Sequence, residues 1–188
     1  MITIRHASID EKRKSYEWLY QSDTTPMHSG APDYPENPVA SWEEYLSNFV
    51  DFYFTEDGRK QGSLLIIEND GEEIGNICYS CFHLYPRMAE LDIWLKAKEY
   101  CGHGYGSAAL KELIRYLNVE FDINKFIIRP SEKNKQAIRA YEKSGFKRVE
   151  DKKAKKAAVK EYILPQYLDE YSDGDYGFDN TATLTLEL

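Results

Sequence analysis

Apolar and polar residues alternate over residues 2–7, and that period of two predicts a strand. Asp10 suits the N-cap of a following helix whose apolar side carries Tyr16, Leu19 and Tyr20. Residues 23–38 hold four of the seven prolines together with Gly30, which predicts an ordered loop. Ser41-Trp42-Glu43-Glu44 has the spacing of a capping box and opens a helix expected to run to about Phe54. After a turn at Glu56-Asp57-Gly58, strands at 63–68 and 74–82 are joined by Asn69-Asp70-Gly71, a hairpin signal. A third run, 89–96, sets Leu91, Ile93 and Leu95 on one face and Glu90, Asp92 and Trp94 on the other.

A glycine-rich turn then leads into a helix over 105–119, with Leu110, Leu113, Ile114 and Leu117 at helical spacing. Residues 125–129 read as a strand, and 135–144 as a helix closed by Gly145. Residues 152–171 read as helical with a break at Pro165, 172–180 as an acidic turn, and 181–188 as a closing strand. The order β-α-α-β-β-β-α-β-α and a last strand predicts an α/β (α+β) sandwich on a mixed sheet, not a doubly wound one. With no repeat or linker, the 188 residues suit a single domain.

Composition narrows the partners. The formal net charge of −8 argues against nucleic acid, which requires cationic patches, and favours a cationic ligand. No run approaches the ~20 apolar residues of a membrane span, and Met1-Ile2-Thr3-Ile4-Arg5-His6 lacks a signal-peptide pattern, so a cytoplasmic protein is expected. Cys78, Cys81 and Cys101 form no disulfide framework. Cys78-Tyr79-Ser80-Cys81 has no second CxxC to complete a zinc site, so no metal is expected. Fifteen tyrosines suit half-wet pockets as well as cores.

The chemistry lies in Cys101-Gly102-His103-Gly104-Tyr105-Gly106-Ser107, between a strand and a helix. Glycine lets backbone approach a ligand closely, and free N–H groups at a helix start make a phosphate seat. The spacing GxGxG after the fourth strand is neither a Rossmann fingerprint nor a Walker loop. His103 reads as a solvent-facing filler. The Lys152, Lys153, Lys155, Lys156 and Lys160 run reads by default as a solvated helix face, with a phosphate or acidic-partner contact as the sharper alternative.

Together with Asn134-Lys135-Gln136-Ala137-Ile138-Arg139-Ala140-Tyr141-Glu142-Lys143-Ser144-Gly145-Phe146, this turn resembles motifs A and B of the GNAT superfamily of N-acetyltransferases. Motif A falls at about 89–119 and motif B at about 125–146. Cys101 stands where the family usually has Gln or Arg. The resemblance implies a V-shaped splay between central strands of a mostly antiparallel sheet, with helices on both faces. It implies acetyl-CoA as co-substrate: Leu95 and Lys96 pair with its pantetheine arm, Gly102, Gly104, Tyr105, Gly106 and Ser107 cradle its pyrophosphate, and Asn134 bonds the arm. Tyr141 is then the acid toward the departing thiolate, and Asp92 the base or the anchor for the ammonium.

Leu91-Asp92-Ile93-Trp94-Leu95 and the 129–143 stretch look like aminoglycoside 6'-N-acetyltransferases, which implies a cationic small-molecule amine as partner. Glu90 and the acidic Asp173 and Asp175 are further candidates for collecting positive charge. A peptide N-terminus, polyamine or other metabolite amine is the alternative acceptor, and a non-catalytic acyl-CoA-binding module the alternative class. Either a monomer or a homodimer is expected, the latter through an exposed final strand.

Overall fold

The computed structural model describes residues 1–28 and 39–188. The sheet has seven strands: β1 (Ile2–His6), β2 (Gly62–Asn69), β3 (Glu72–Ser80), β4 (Met88–Leu95), β5 (Lys125–Ile128), β6 (Lys147–Arg148) and β7 (Leu184–Glu187). Their spatial order is β1-β2-β3-β4-β5-β7-β6, antiparallel throughout except where β4 runs parallel to β5. The β2–β3 hairpin turns through Asp70 (φ 50°) and Gly71 (φ 86°), the left-handed pair that the sequence signal requires.

Helices cover both faces. On one, α4 (Tyr105–Phe121) and α5 (Lys135–Lys143) bury Leu110, Leu113, Leu117 and Ile138 against Leu65, Ile77, Leu91 and Phe126. On the other, α1 (Lys12–Tyr20) and α3 (Trp42–Asn48) pack Tyr16, Leu19 and Tyr45 on Leu64, Ile66 and Trp94. Further along, α6 (Lys152–Tyr162) sets Val159 and Tyr162 against Ile127. Each fully buried large apolar side chain contributes about 1.5–3 kcal/mol. Among the described residues no helix is long and apolar enough to cross a membrane.

The splay at the centre of the sheet has a local cause. Pairing of β4 with β5 stops at Leu91 and Ile128, while β4 continues to Leu95. Two residues past Ile128 stands Pro130, which has no N–H to continue a ladder. Lys96 donates its N–H to the Ile74 carbonyl (2.9 Å) on β3, so the alternating residues Leu91, Ile93 and Leu95 turn their backbone groups to the open edge.

Several expectations are corrected. The helix beginning at Trp42 stops at Asn48 rather than near Phe54, and Asp51–Phe54 forms a 3-10 turn. The chain leaves the helix at Phe49 (φ −92°, ψ 96°), where the buried Lys12 ammonium holds the Phe49 carbonyl and the Asp51 carboxylate (2.8 Å). Within the expected 23–38 loop, Thr25–His28 makes one helical turn, α2; residues 29–38 lie outside the described residues. The two-residue β6 is too short to show a period. The last strand is not an exposed edge, since β7 pairs with β5 on one side and β6 on the other. After α6 the chain breaks before Pro165 and ends its helical stretch in α7 (Leu168–Tyr171).

Candidate active site

A cleft of about 750 Å³ runs through the splay from one face of the sheet to the other. Its two halves are built differently.

The first half is backbone. Gly102 (φ 84°) and Gly104 (φ 83°) hold left-handed conformations, and a Cβ at Gly104 would meet nothing within 4 Å. Gly104 is the N-cap of α4 and has no side chain to cap it. The first intrahelical bond is Ala108 N–H to the Gly104 carbonyl (3.0 Å), so the N–H groups of Tyr105, Gly106 and Ser107 precede it. These donors and the positive end of a 17-residue helix dipole suit an anion such as a diphosphate. Arg139 and Lys143 of α5 bring two cations to the same half, a pair the motif contains but the sequence reading gave no role.

Leu95 lines the cleft, and its carbonyl accepts from Thr24 Oγ1 at 2.7 Å. Lys96 does not line it: its main-chain N–H is taken by the Ile74 carbonyl (2.9 Å) and its ammonium by Glu72 (3.1 Å) on the hairpin. Asn134 caps α5, its Oδ1 accepting from Ala137 N–H (3.0 Å) while its amide donates to the Met27 carbonyl (3.0 Å). Ser107 Oγ donates to the Ala140 carbonyl at 3.3 Å. His103 is exposed and stacks beside Tyr105. The lysine run of α6 is drawn elsewhere: Lys155 is buried on Glu132 (2.9 Å), and Lys152 and Lys156 lie over Phe178.

The second half is side chains. Asp92 is open to the cleft, and its Oδ1 accepts from the Ile93 N–H (2.8 Å) on the splayed edge. Protein closes round it on its other sides. That desolvation, with Asp175 and Glu90 nearby, pushes its pKa up to about 7 against the Ile93 bond. Asp175 is raised as well, by desolvation and by Glu90, with Arg129 opposing. Tyr141 is buried and lines the cleft; desolvation and Asp92 hold its hydroxyl protonated.

Glu90 lines the cleft, but its carboxylate is already engaged by the protein. Its carboxylate takes a bidentate pair from Arg129 (2.6 and 3.0 Å) and a bond with His83 Nε2 (2.9 Å). Burial would raise its pKa, but the Arg129 charge and the His83 and Arg129 bonds hold it down to about 2. Its charge is therefore committed to the protein and not to a ligand. Arg129 also donates to the Tyr171 and Ser172 carbonyls (2.7 and 3.3 Å), fixing the end of α7 over the cleft. Asp175 and Tyr176 line the cleft beyond this clamp, whereas Asp173 does not. Sequence alone gives Arg129 no signal because its partner Glu90 lies 39 residues away, and gives His83 none because the turn between β3 and β4, not a sequence period, brings it to Glu90.

Cys78, in β3, lines the cleft and Cys81 follows that strand; both are free thiols whose pKa burial raises. Among the described residues no cluster of three or more His, Cys, Asp or Glu is placed to hold a metal.

A model of the acetyltransferase (GNAT) domain family matches residues 2–147. The chain is 26% identical over 147 residues to YdaF of Bacillus subtilis (strain 168), provisionally named a ribosomal N-acetyltransferase, covering 78% of this chain and 71% of that protein. Among solved structures it is similar to the aminoglycoside acetyltransferase AAC(6')-Ib with ribostamycin and coenzyme A (TM-score 0.69, 19% identity, 99% of this chain and 93% of that one). It is also similar to RimL, the ribosomal L7/L12 α-N-protein acetyltransferase, in complex with coenzyme A (TM-score 0.67, 19% identity, 100% and 94%). At such identity these two likenesses show a shared fold.

Proposed function

The chain belongs to the GNAT acetyltransferase family, and from that premise we propose that it transfers an acetyl group from acetyl-CoA to a primary amine on a cationic small molecule. The observation that carries this reading is the continuity of the cleft. Unpaired main-chain donors at the start of α4 open into a space that continues past the β4–β5 splay to Asp92 and Asp175.

The groups at the first half fit acetyl-CoA, which when bound would supply the acetyl group as a thioester and leave as the coenzyme A thiol. Gly102, Gly104, Tyr105, Gly106 and Ser107 would seat its diphosphate, Arg139 and Lys143 would balance its charge, and the open edge at Leu95 would run along its arm.

An alkylammonium has a pKa of about 10.4, so on the order of one molecule in a thousand is a free amine at pH 7. Asp92, raised to about 7, is matched to accept that proton near neutrality, after its charge has helped to draw the cation in. Tyr141 stays protonated and supplies the proton that a leaving thiolate requires. Main-chain N–H groups on the splayed edge of β4 would stabilise charge on the carbonyl oxygen, with the Ile93 N–H released as Asp92 takes up its proton. Holding the amine against the thioester carbon supplies the rest through orientation.

The aminoglycoside 6'-amine draws on the fold shared with AAC(6')-Ib, and a protein N-terminus on the sequence likeness to YdaF. Thiol release from acetyl-CoA, measured against a panel of amines, tests the activity. Turnover with an amine and calorimetric binding of coenzyme A are expected. Binding without turnover would mark an acyl-CoA-binding module, and no binding at all would remove the reading.

A further inference from the structure

The amine half of the cleft has a lining that its acidic floor alone does not explain. Phe49 and Tyr53 lie 4.8 Å apart between ring centroids, following α3. On the facing wall, Phe82 meets Tyr171 edge-on at 5.6 Å, and His83 stacks on Tyr171 at 4.6 Å and 25°. Phe52 links the two groups, 4.5 Å from Tyr53 and 5.8 Å from Phe82. Tyr176 joins this lining from the C-terminal side. The aromatic rings therefore form one connected wall around the strand residues Ser80, Glu90 and Asp92.

Most polar groups in this wall are paired within the protein, the buried exceptions around the cleft among the described residues being the single ring nitrogens His83 Nδ1, His28 Nδ1 and Trp94 Nε1. Tyr53 and Ser80 bond each other through their hydroxyls. Glu90 is held by Arg129 and His83. Tyr176 donates to the His28 carbonyl at 3.4 Å. Among the described residues lining the cleft, the carboxylates without an ion-pair partner are Asp92 and Asp175. Asp175 stands near enough to Asp92 to disfavour a second full charge beside it, so a single ammonium can balance the pair. An acceptor bearing several ammonium groups and many hydroxyls would leave most of them facing rings, without partners, at a cost of about 1–3 kcal/mol for each buried polar group left unpaired.

Resting on the acetyltransferase reading above, we propose that the acceptor is a singly charged primary amine on a flat aromatic body, an arylalkylamine, with its ammonium between Asp92 and Asp175 and its ring on the wall of Phe49, Tyr53, Phe82 and Tyr171. Aromatic surfaces pack a ring in offset or edge-on geometry for about 0.5–1.5 kcal/mol beyond the area buried, which adds to the burial of the ring itself.

Steady-state thiol release with acetyl-CoA tests this, comparing 2-phenylethylamine, butylamine, spermidine and kanamycin. The expected result is a kcat/KM for 2-phenylethylamine at least ~10-fold above that for each of the others. Equal use of butylamine, or preference for spermidine or kanamycin, overturns the aromatic acceptor and leaves the acetyltransferase standing. Calorimetry of 2-phenylethylamine titrated into the coenzyme A complex reads the same wall without turnover. Binding there with no thiol release keeps the acceptor class and removes the activity; neither binding nor release removes the acceptor class. Phe82→Leu should narrow the preference over butylamine several-fold, and an unchanged ratio together with an unchanged 2-phenylethylamine KM counts against the wall as its source.

Discussion

The two halves of the cleft differ in what they are made of. The coenzyme half is main chain: left-handed glycines and the opening turn of one helix, all within residues 101–107. The amine half is side chains drawn from β3, β4, the residues after α3, and the segment beyond α7. A backbone-built site needs only a short run of residues, so it can be kept while the rest of a sequence changes. A side-chain-built site is assembled from distant positions, and its α7 wall lies beyond the residues 2–147 matched to the family. On the proposed reading, the first half would set the reaction class and the second what is acetylated.

That division can be broken most strongly at Asp92. Asp92→Asn is expected to lower amine kcat/KM by about 10²–10⁴-fold while coenzyme A affinity holds, measured by steady-state kinetics and calorimetry. In the native protein Asp92 is protonated below about 7 and cannot accept a proton, so kcat/KM should rise with pH through about 7 and then level. The variant should lose that limb, and a retained limb would assign it elsewhere.

Next in size is Arg129→Met. It leaves Glu90 buried without its cation, so denaturant unfolding should show about 3–5 kcal/mol lost. In the folded fraction the amine KM should rise with little change in the acetyl-CoA KM, because only the α7 wall depends on the clamp. Tyr141→Phe is expected to lower kcat by roughly 10–100-fold without weakening acetyl-CoA binding, and an unchanged kcat would exclude it as the acid. The smallest effect is expected from Gly104→Ala, whose left-handed backbone costs about 1–2 kcal/mol with a side chain. Coenzyme A binding should weaken about 10-fold, with the amine preferences unchanged.

The sequence made the first half readable because its signals are local. Gly102, Gly104 and Gly106 stand at fixed spacing, and Asn134 to Phe146 is one continuous run that the structure folds as α5 and its glycine stop. Strands β2 to β4 were legible for the same reason. Asp92, Tyr141 and Asp175 all line the cleft. Sequence offers Glu90 as a collector of positive charge, because nothing near it in the chain announces Arg129 as its partner, 39 residues on. The capping box predicts where α3 starts but not where it stops, since the buried Lys12 that meets its end lies 37 residues earlier. Asp173 was grouped with Asp175 by composition alone, and a turn at Gly174 (φ 65°) separates them.

Strand β7 lies between β5 and β6 although it follows both in the chain. During synthesis, the outer edge of β5 and the whole of β6 must therefore wait, without a partner, until residues 184–187 have left the ribosome. The parallel pair that shapes the splay thus gains its outer neighbour only after every residue lining the cleft has been made. A nascent chain carrying every glycine and carboxylate of the cleft would still expose an unfilled strand slot, open to capture by a chaperone or by another copy.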